Sequence, residues 1–267
     1  MFRIILVLII FLGGVMLDAQ TDRIGEFIPE TNAEFIHETN VEFTDFTGLN
    51  LEGLVDVFYT QSENKSIVIK TQQIEHINDV TYSIRNNTLT IRNDIRDARQ
   101  GRQVRRGLFG RNTTVIVDGN GNNRRIQVFI ESPSIESFRH SGVGVITFSE
   151  NVDLNKLHFQ ISGVANVNAQ SLNVSDLEIR SSGVANVNIA GNAINVKVVS
   201  SGVGSVNLGS LVSAKADVNV TGVGTVIVHS TDELNARITG VGAIRYRGNP
   251  NITRSVGFLG SLSRIGD

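Results

Sequence analysis

The sequence predicts an all-β fold: a single-stranded, right-handed parallel β-helix (β-solenoid) with rungs of about 20 residues and an irregular N-terminal β cap. Three observations carry this prediction. A short phrase recurs six times, as "SGVGVI" from Ser141, "SGVANV" from Ser162 and from Ser182, "SGVGSV" from Ser201, "TGVGTV" from Thr221 and "TGVGAI" from Thr239. Its glycines (Gly142, Gly163, Gly183, Gly202, Gly222 and Gly240) are 21, 20, 19, 20 and 18 residues apart. That period matches one solenoid turn, and helical repeats begin only near about 33 residues. Ahead of each phrase, apolar and polar residues alternate with period two, the pattern of a strand with one face inside and one in water.

Residues 1–19 read as a secretory signal peptide. Arg3 is followed by an apolar run from Ile4 to Leu17, then by Leu17-Asp18-Ala19. The run is shorter than the roughly 20 apolar residues a membrane-spanning helix needs, so cleavage is expected after Ala19, with a retained anchor as the alternative. Export without a single cysteine means that packing and backbone pairing hold the fold, not disulfides. Residues 20–45 form an acidic spacer with an eight-residue echo starting at Glu26, Glu34 and Glu42.

The domain itself is expected over residues 46–260, with irregular first rungs across 46–131. Its strand-like runs are "VDVFYT" from Val55, "SIVIKT" from Ser66, "VTYSIR" from Val80, "LTIR" from Leu89, "TTVIV" from Thr113 and "RIQVFI" from Arg125. Turn signals such as Arg85-Asn86-Asn87 separate them. Regular repeats occupy 138–250, and 251–267 is expected as a C-terminal cap or tail. In the repeats one parity is mostly apolar: Leu157, Phe159 and Ile161, then Leu177, Ile179 and Ser181, and so on to Leu234, Ala236 and Ile238. After each glycine, Val143, Val164, Val184, Val203, Val223 and Val241 form one column. Ile146, Val167, Val187, Val206, Val226 and Ile244 form a second. Stacked at about 4.8 Å, such columns become ladders of like residues running up the core. The glycines are expected at corners where positive φ is needed, and the small residue two places on implies a tight bend.

These phrases also carry a family resemblance. The opening "FTGLNLEGLVDVFYTQSENKSIVIKT" (Phe46 to Thr71), "NTLTIR" (Asn87 to Arg92), the serial S-G-x-G phrases and the close "GVGAIRYRGNP" (Gly240 to Pro250) resemble the auto-transporter adhesin family, head GIN domain. The likeness spans about residues 42–260; alanine replaces the usual second glycine at Ala165 and Ala185. It implies an exported β-helix at an envelope or cell surface, and it supplies no catalytic residues.

Among candidate sites, Arg96, Arg99, Arg102, Arg105, Arg106 and Arg111 crowd one run whose guanidinium groups suit an acidic glycan, phosphate or lipid headgroup. A solvated connection and a protease-labile loop are the other readings of that run. Asn168, Asn188 and Asn207 share a column and are expected as a structural amide ladder. The outward column His158, Glu178, Lys197, Asp217 and Asn235 mixes signs as a solvated face does. Asp153, Asp176, Asp217, Asp232 and Glu233 do not converge as a polysaccharide-cleaving β-helix requires. No nucleophile elbow, P-loop or metal-binding spacing occurs among the five histidines, so no cofactor or metal is expected. A net charge of −2 argues against nucleic acid. Six sequons (Asn64, Asn86, Asn112, Asn173, Asn219 and Asn251) matter only in a host that glycosylates exported chains.

The resulting expectation is a non-catalytic, exported β-helix that presents a rigid surface for adhesion or envelope organisation. Glycans, surface proteins or further copies of the chain are its partner classes, with no membrane span after signal cleavage. A β-helix carbohydrate-active enzyme and a self-assembling structural protein are the alternatives.

Overall fold

Period-two alternation becomes strand throughout. The computed structural model describes residues 37–41, 45–72, 80–93 and 125–266, and every regular element among them is a β-strand. The signal segment, the arginine run, the "TTVIV" run and most of the acidic spacer lie outside the described residues. Among the described residues no helix is long and apolar enough to cross a membrane.

The N-terminal part is built from β1 (His37–Asn40), β2 (Gly48–Glu52), β3 (Val55–Gln61), β4 (Ser66–Thr71), β5 (Val80–Arg85), β6 (Thr88–Asn93), β7 (Ile126–Ser132), β8 (Ser137–His140) and β9 (Val143–Phe148). Its rungs do not stack in chain order. β2 and β3 make one rung. β6 and β7 lie along one side of it, with Leu89 against Leu49 and Val128 against Val57. β8 and β9 lie along the other side, with Phe138 against Leu49 and Ile146 against Val57. Antiparallel strands then close the start of the stack: β4 pairs with β7 and with β1, and β5 pairs with β6. The β5–β6 turn is made by Asn86 and Asn87, whose φ values of 48° and 55° place both in the left-handed region, the requirement of a two-residue hairpin turn. These strands cover the parallel edge of the first rung, and among the described residues β1 and β5 become the outer strands.

From β10 (Val152–Ile161) the winding is regular. β11 (Val164–Ser181), β12 (Val184–Ser200), β13 (Val203–Val220) and β14 (Val223–Ile238) are long strands, each bent through irregular register so that one strand serves more than one side of the rung. β15 (Val241–Arg247), β16 (Asn251–Val256) and β17 (Gly260–Arg264) complete the described stack, β16 on β14 and β17 on β15. Three parallel ladders result. A post-glycine face aligns Val164, Val184, Val203, Val223 and Val241. A short face aligns Val152–Leu154 with Leu172–Val174. A pre-glycine face aligns Leu157, Leu177, Val196, Ala216 and Leu234.

One apolar core runs up the inside. In the early rungs Tyr59, Phe138, Phe148 and Phe159 fill it with rings 5.1–6.1 Å apart. The buried Tyr59 hydroxyl donates to the Ser132 carbonyl at 3.1 Å, as a phenol inside an apolar core must. Later rungs are filled by aliphatic side chains, among them the column Val167, Val187, Val206, Val226 and Ile244, all at most 2% exposed.

Two expectations are corrected. The first valine column does not run up the core: Val143, Val164, Val184, Val203, Val223 and Val241 point outward and are 38–54% exposed. The corner glycines do not need positive φ, since none of the six is among the left-handed glycines. What excludes a side chain is the rung beneath. A Cβ on Gly163, Gly183, Gly202, Gly222 or Gly240 would lie 1.9–2.2 Å from the carbonyl oxygen of the preceding corner glycine. That carbonyl already accepts the N–H of the next valine, as Gly163 O does from Val184 N at 2.9 Å.

Candidate functional site

Strand parity sorts each post-glycine segment into two sets. The small residue and the second apolar residue, for example Ala185 and Val187, point inward and are buried. The first valine and the residues two and four places on point outward. Over six rungs these outer triplets are Val143, Val145 and Thr147; Val164, Asn166 and Asn168; Val184, Asn186 and Asn188; Val203, Ser205 and Asn207; Val223, Thr225 and Ile227; and Val241, Ala243 and Arg245. The triplets are uncharged until Arg245 in the last of them. Amide bonds run up the face: Asn207 Nδ2 donates to Asn188 Oδ1 at 3.1 Å and Asn186 Nδ2 to Asn166 Oδ1 at 3.4 Å. Asn168 stands in register below Asn188. Each such bond uses one amide hydrogen and leaves the second free.

The pre-glycine face is of opposite character. Its outer column His158, Glu178, Lys197, Asp217 and Asn235 stands in register. Glu178 is met by Arg180 at 2.7 Å, Lys197 at 3.5 Å and His158 at 3.6 Å. Asn235 donates to Asp217 at 3.1 Å, Asn195 to Asp176 at 2.8 Å, and Lys215 meets Glu233 at 2.9 Å. A shallow hollow lies over these residues, and each of its carboxylates has a cation or amide against it. Among the described residues no three acidic or histidine side chains are grouped to hold a metal ion.

A buried polar centre sits at the foot of the post-glycine face. Asp56 accepts from Arg125 Nη1 at 2.8 Å and from the Val145 backbone N–H at 2.8 Å. His140 lies in the core with both ring nitrogens unbonded. Burial holds its pKa below the ordinary histidine value, and the nearby Asp56 charge opposes that shift.

Of the residues singled out in the sequence, the six glycines and the Asn168, Asn188 and Asn207 column lie at the corner and on the post-glycine face. Arg96, Arg99, Arg102, Arg105, Arg106 and Arg111 fall outside the described residues. Sequence reasoning missed Gly53, the first member of the corner column, whose carbonyl a Cβ on Gly142 would strike at 1.7 Å. "EGLVDV" from Glu52 is a faint copy of the repeated phrase and could have revealed it. It also missed the exposed valines and two further amide pairs, Asn186 with Asn166 at 3.4 Å and Asn192 with Asn173 at 3.0 Å.

A parallel β-solenoid with a ladder face whose one charge is Arg245, beside a charge-paired one, defines a class of protein, a repeat-built surface scaffold. The family described as "Putative auto-transporter adhesin, head GIN domain" matches residues 45–250, and the chain belongs to that family. Several solved structures share its fold. A "putative adhesin" from Bacteroides fragilis is 24% identical with a TM-score of 0.72, over 86% of this chain and 96% of that one. A "putative lipid binding protein" from Parabacteroides distasonis is 18% identical with a TM-score of 0.63, over 86% and 96%. A "putative adhesin" from Parabacteroides merdae is 19% identical with a TM-score of 0.56, over 86% and 95%. No curated protein matches the chain.

Proposed function

We propose that this chain is a non-catalytic, exported adhesin whose contact surface is the post-glycine face. The observation that carries the reading is the run of uncharged outer triplets from Val143 to Ile227, which stand in register on one ladder whose rungs are hydrogen-bonded each to the next. Membership of the adhesin family supports the same reading. The enzymatic alternative needs a free acid and base facing one substrate, whereas the hollow on the pre-glycine face holds carboxylates already matched by Lys197, Lys215, Asn195 and Asn235. The arginine run, Arg96 to Arg111, is proposed as an anion-binding segment.

One experiment addresses both surfaces. Beads coated with the mature chain, from Gln20, are scored for clumping and for retention on arrays of neutral and acidic glycans at two salt concentrations. Variants V184E/V203E and R99S/R102S/R105S/R106S are run beside the parent. Loss of adhesion in V184E/V203E alone supports the face. Salt-sensitive retention lost only in the arginine variant moves the site to the arginine run. Release of reducing sugar from any glycan overturns the non-catalytic reading.

A further inference from the structure

We infer that the partner of the post-glycine face is a second copy of the same chain, docked face to face with the two stacks antiparallel. This rests on the reading of that face as the contact surface, and it names the occupant.

The valines are the first argument. Ten outer positions on the pre-glycine face, from His158 and Gln160 to Asn235 and Arg237, include one valine, Val199. The strand-forming tendency of valine therefore does not by itself fill outer columns with it. On the post-glycine face six stacked valines are 38–54% exposed. Leu259, in the turn just before the paired Gly260, is 62% exposed. A contiguous apolar strip of this kind marks an interaction surface. No aromatic side chain stands among the eighteen outer positions, so the face has no ring on which a sugar could stack.

Self-complementarity is the second. A surface that meets its own copy must not carry like charges at facing positions. A two-fold axis along the strand direction, between the rungs of Val184 and Val203, keeps each column opposite itself and reverses the order of rungs. Val184 then faces Val203, Val164 faces Val223, and Val143 faces Val241. Asn188 faces Asn207, and Asn186 faces Ser205. Arg245, the one charge, falls opposite Thr147 and far from its own copy.

Size is the third. Five strand residues at about 3.3 Å and six rungs at about 4.8 Å give a footprint of roughly 17 by 29 Å, about 500 Å² on each copy. The total of about 1,000 Å² sits at the lower bound of specific interfaces, which suits a reversible dimer rather than an obligate one.

Sedimentation equilibrium of the mature chain across the micromolar range tests this, with circular dichroism to confirm folding. The expected result is a mass that doubles with concentration for the parent and stays monomeric for V184E/V203E, whose substitutions are at solvent-facing positions. The orientation is tested by V143C/V241C, because the parent has no cysteine. Within one chain these sites are five rungs apart, about 24 Å, well beyond disulfide reach of about 7 Å. Oxidation should join two copies in the double variant and leave V143C and V241C alone as monomers. A parent that stays monomeric throughout overturns the inference, as does a V184E/V203E variant that dimerises like the parent. If the parent is monomeric yet its retention on neutral glycans depends on the face, the contact surface stands and a glycan is its occupant. If clumping and retention also ignore V184E/V203E, both readings fall.

Discussion

Substituting one corner glycine tests how the repeats hold together. In Gly183→Ala the new Cβ would lie 2.0 Å from Gly163 O and 2.7 Å from the Ser162 carbonyl. All of these atoms are backbone, so no side chain can swing aside, and the rung has to lift by at least about 1 Å to bring the Cβ out even to the shortest contacts that real side chains make. The corner is pinned by Ser182 N to Ile161 O at 2.8 Å and Val184 N to Gly163 O at 2.9 Å. A 1 Å lift takes both beyond hydrogen-bond length. Two such bonds contribute about 1–3 kcal/mol together, and forced overpacking costs about 1–3 kcal/mol more. The smaller entropy of the unfolded alanine chain returns about 0.4–1 kcal/mol. The net expectation is a loss of about 1–5 kcal/mol. Urea unfolding followed by far-UV circular dichroism measures it against Gly257→Ala, whose Cβ would meet nothing nearer than Ile238 O at 3.2 Å and which should stay within about 0.5 kcal/mol of the parent. Equal midpoints for the two variants would refute the stacking account.

Two further outcomes follow from the buried polar centre. His140 is held neutral by burial, so its folded pKa lies below the ordinary 6.5. Above 6.5 it is neutral in both states and has no effect on stability. As pH falls below 6.5 the unfolded chain takes up a proton that the folded one refuses, and stability drops until the lower folded pKa is reached. The urea midpoint should therefore decline as pH falls through and below 6.5, and His140→Leu should flatten that part of the decline; an unchanged slope counts against it. Asp56→Ala removes the carboxylate that Arg125 and the Val145 N–H share, at a cost of about 3 kcal/mol. Asp56→Asn keeps a neutral acceptor for Val145 and should cost less by the same urea assay. A smaller loss in Asp56→Ala than in Asp56→Asn would show that the carboxylate is not what organises this corner.

The regular rungs were legible because every copy repeats the same constraint. A buried column tolerates only apolar or small residues in each rung, so Leu157, Leu177, Val196, Ala216 and Leu234 announce one another along the chain. Nothing similar marks the first rungs. That β6 and β7 return to the outer side of β2 and β3 depends on pairings about 40 to 70 residues apart, such as Leu49 with Leu89 and Val57 with Val128, and no period connects those partners. The closing antiparallel strands were equally hidden, since "SIVIKT" reads the same whichever way its neighbour runs. Asp56 and Arg125 form their pair across the same kind of gap.

The outward valines were open to inference, and the reason they were missed locates the functional question. Val143 and Ile146 are three residues apart, as are the corresponding pairs in every copy. On a strand an odd separation puts two side chains on opposite faces, so both columns cannot line one core. The inner set is the small residue with the second apolar one, Ala165 with Val167 and Gly204 with Val206. Hydrophobicity disguised this, because an apolar residue is ordinarily assigned to the inside. The inner column is tied to packing: closing the rung requires a small residue at Ala165 and an apolar one at Val167, whatever the protein does. The outer valines bear no such constraint, for the pre-glycine face is built on the same rungs and fills its outer positions with His158, Glu178, Lys197 and Asp217. Solvation alone therefore gives no reason for Val164, Val184, Val203 and Val223 to recur in consecutive rungs, and a partner that covers them does.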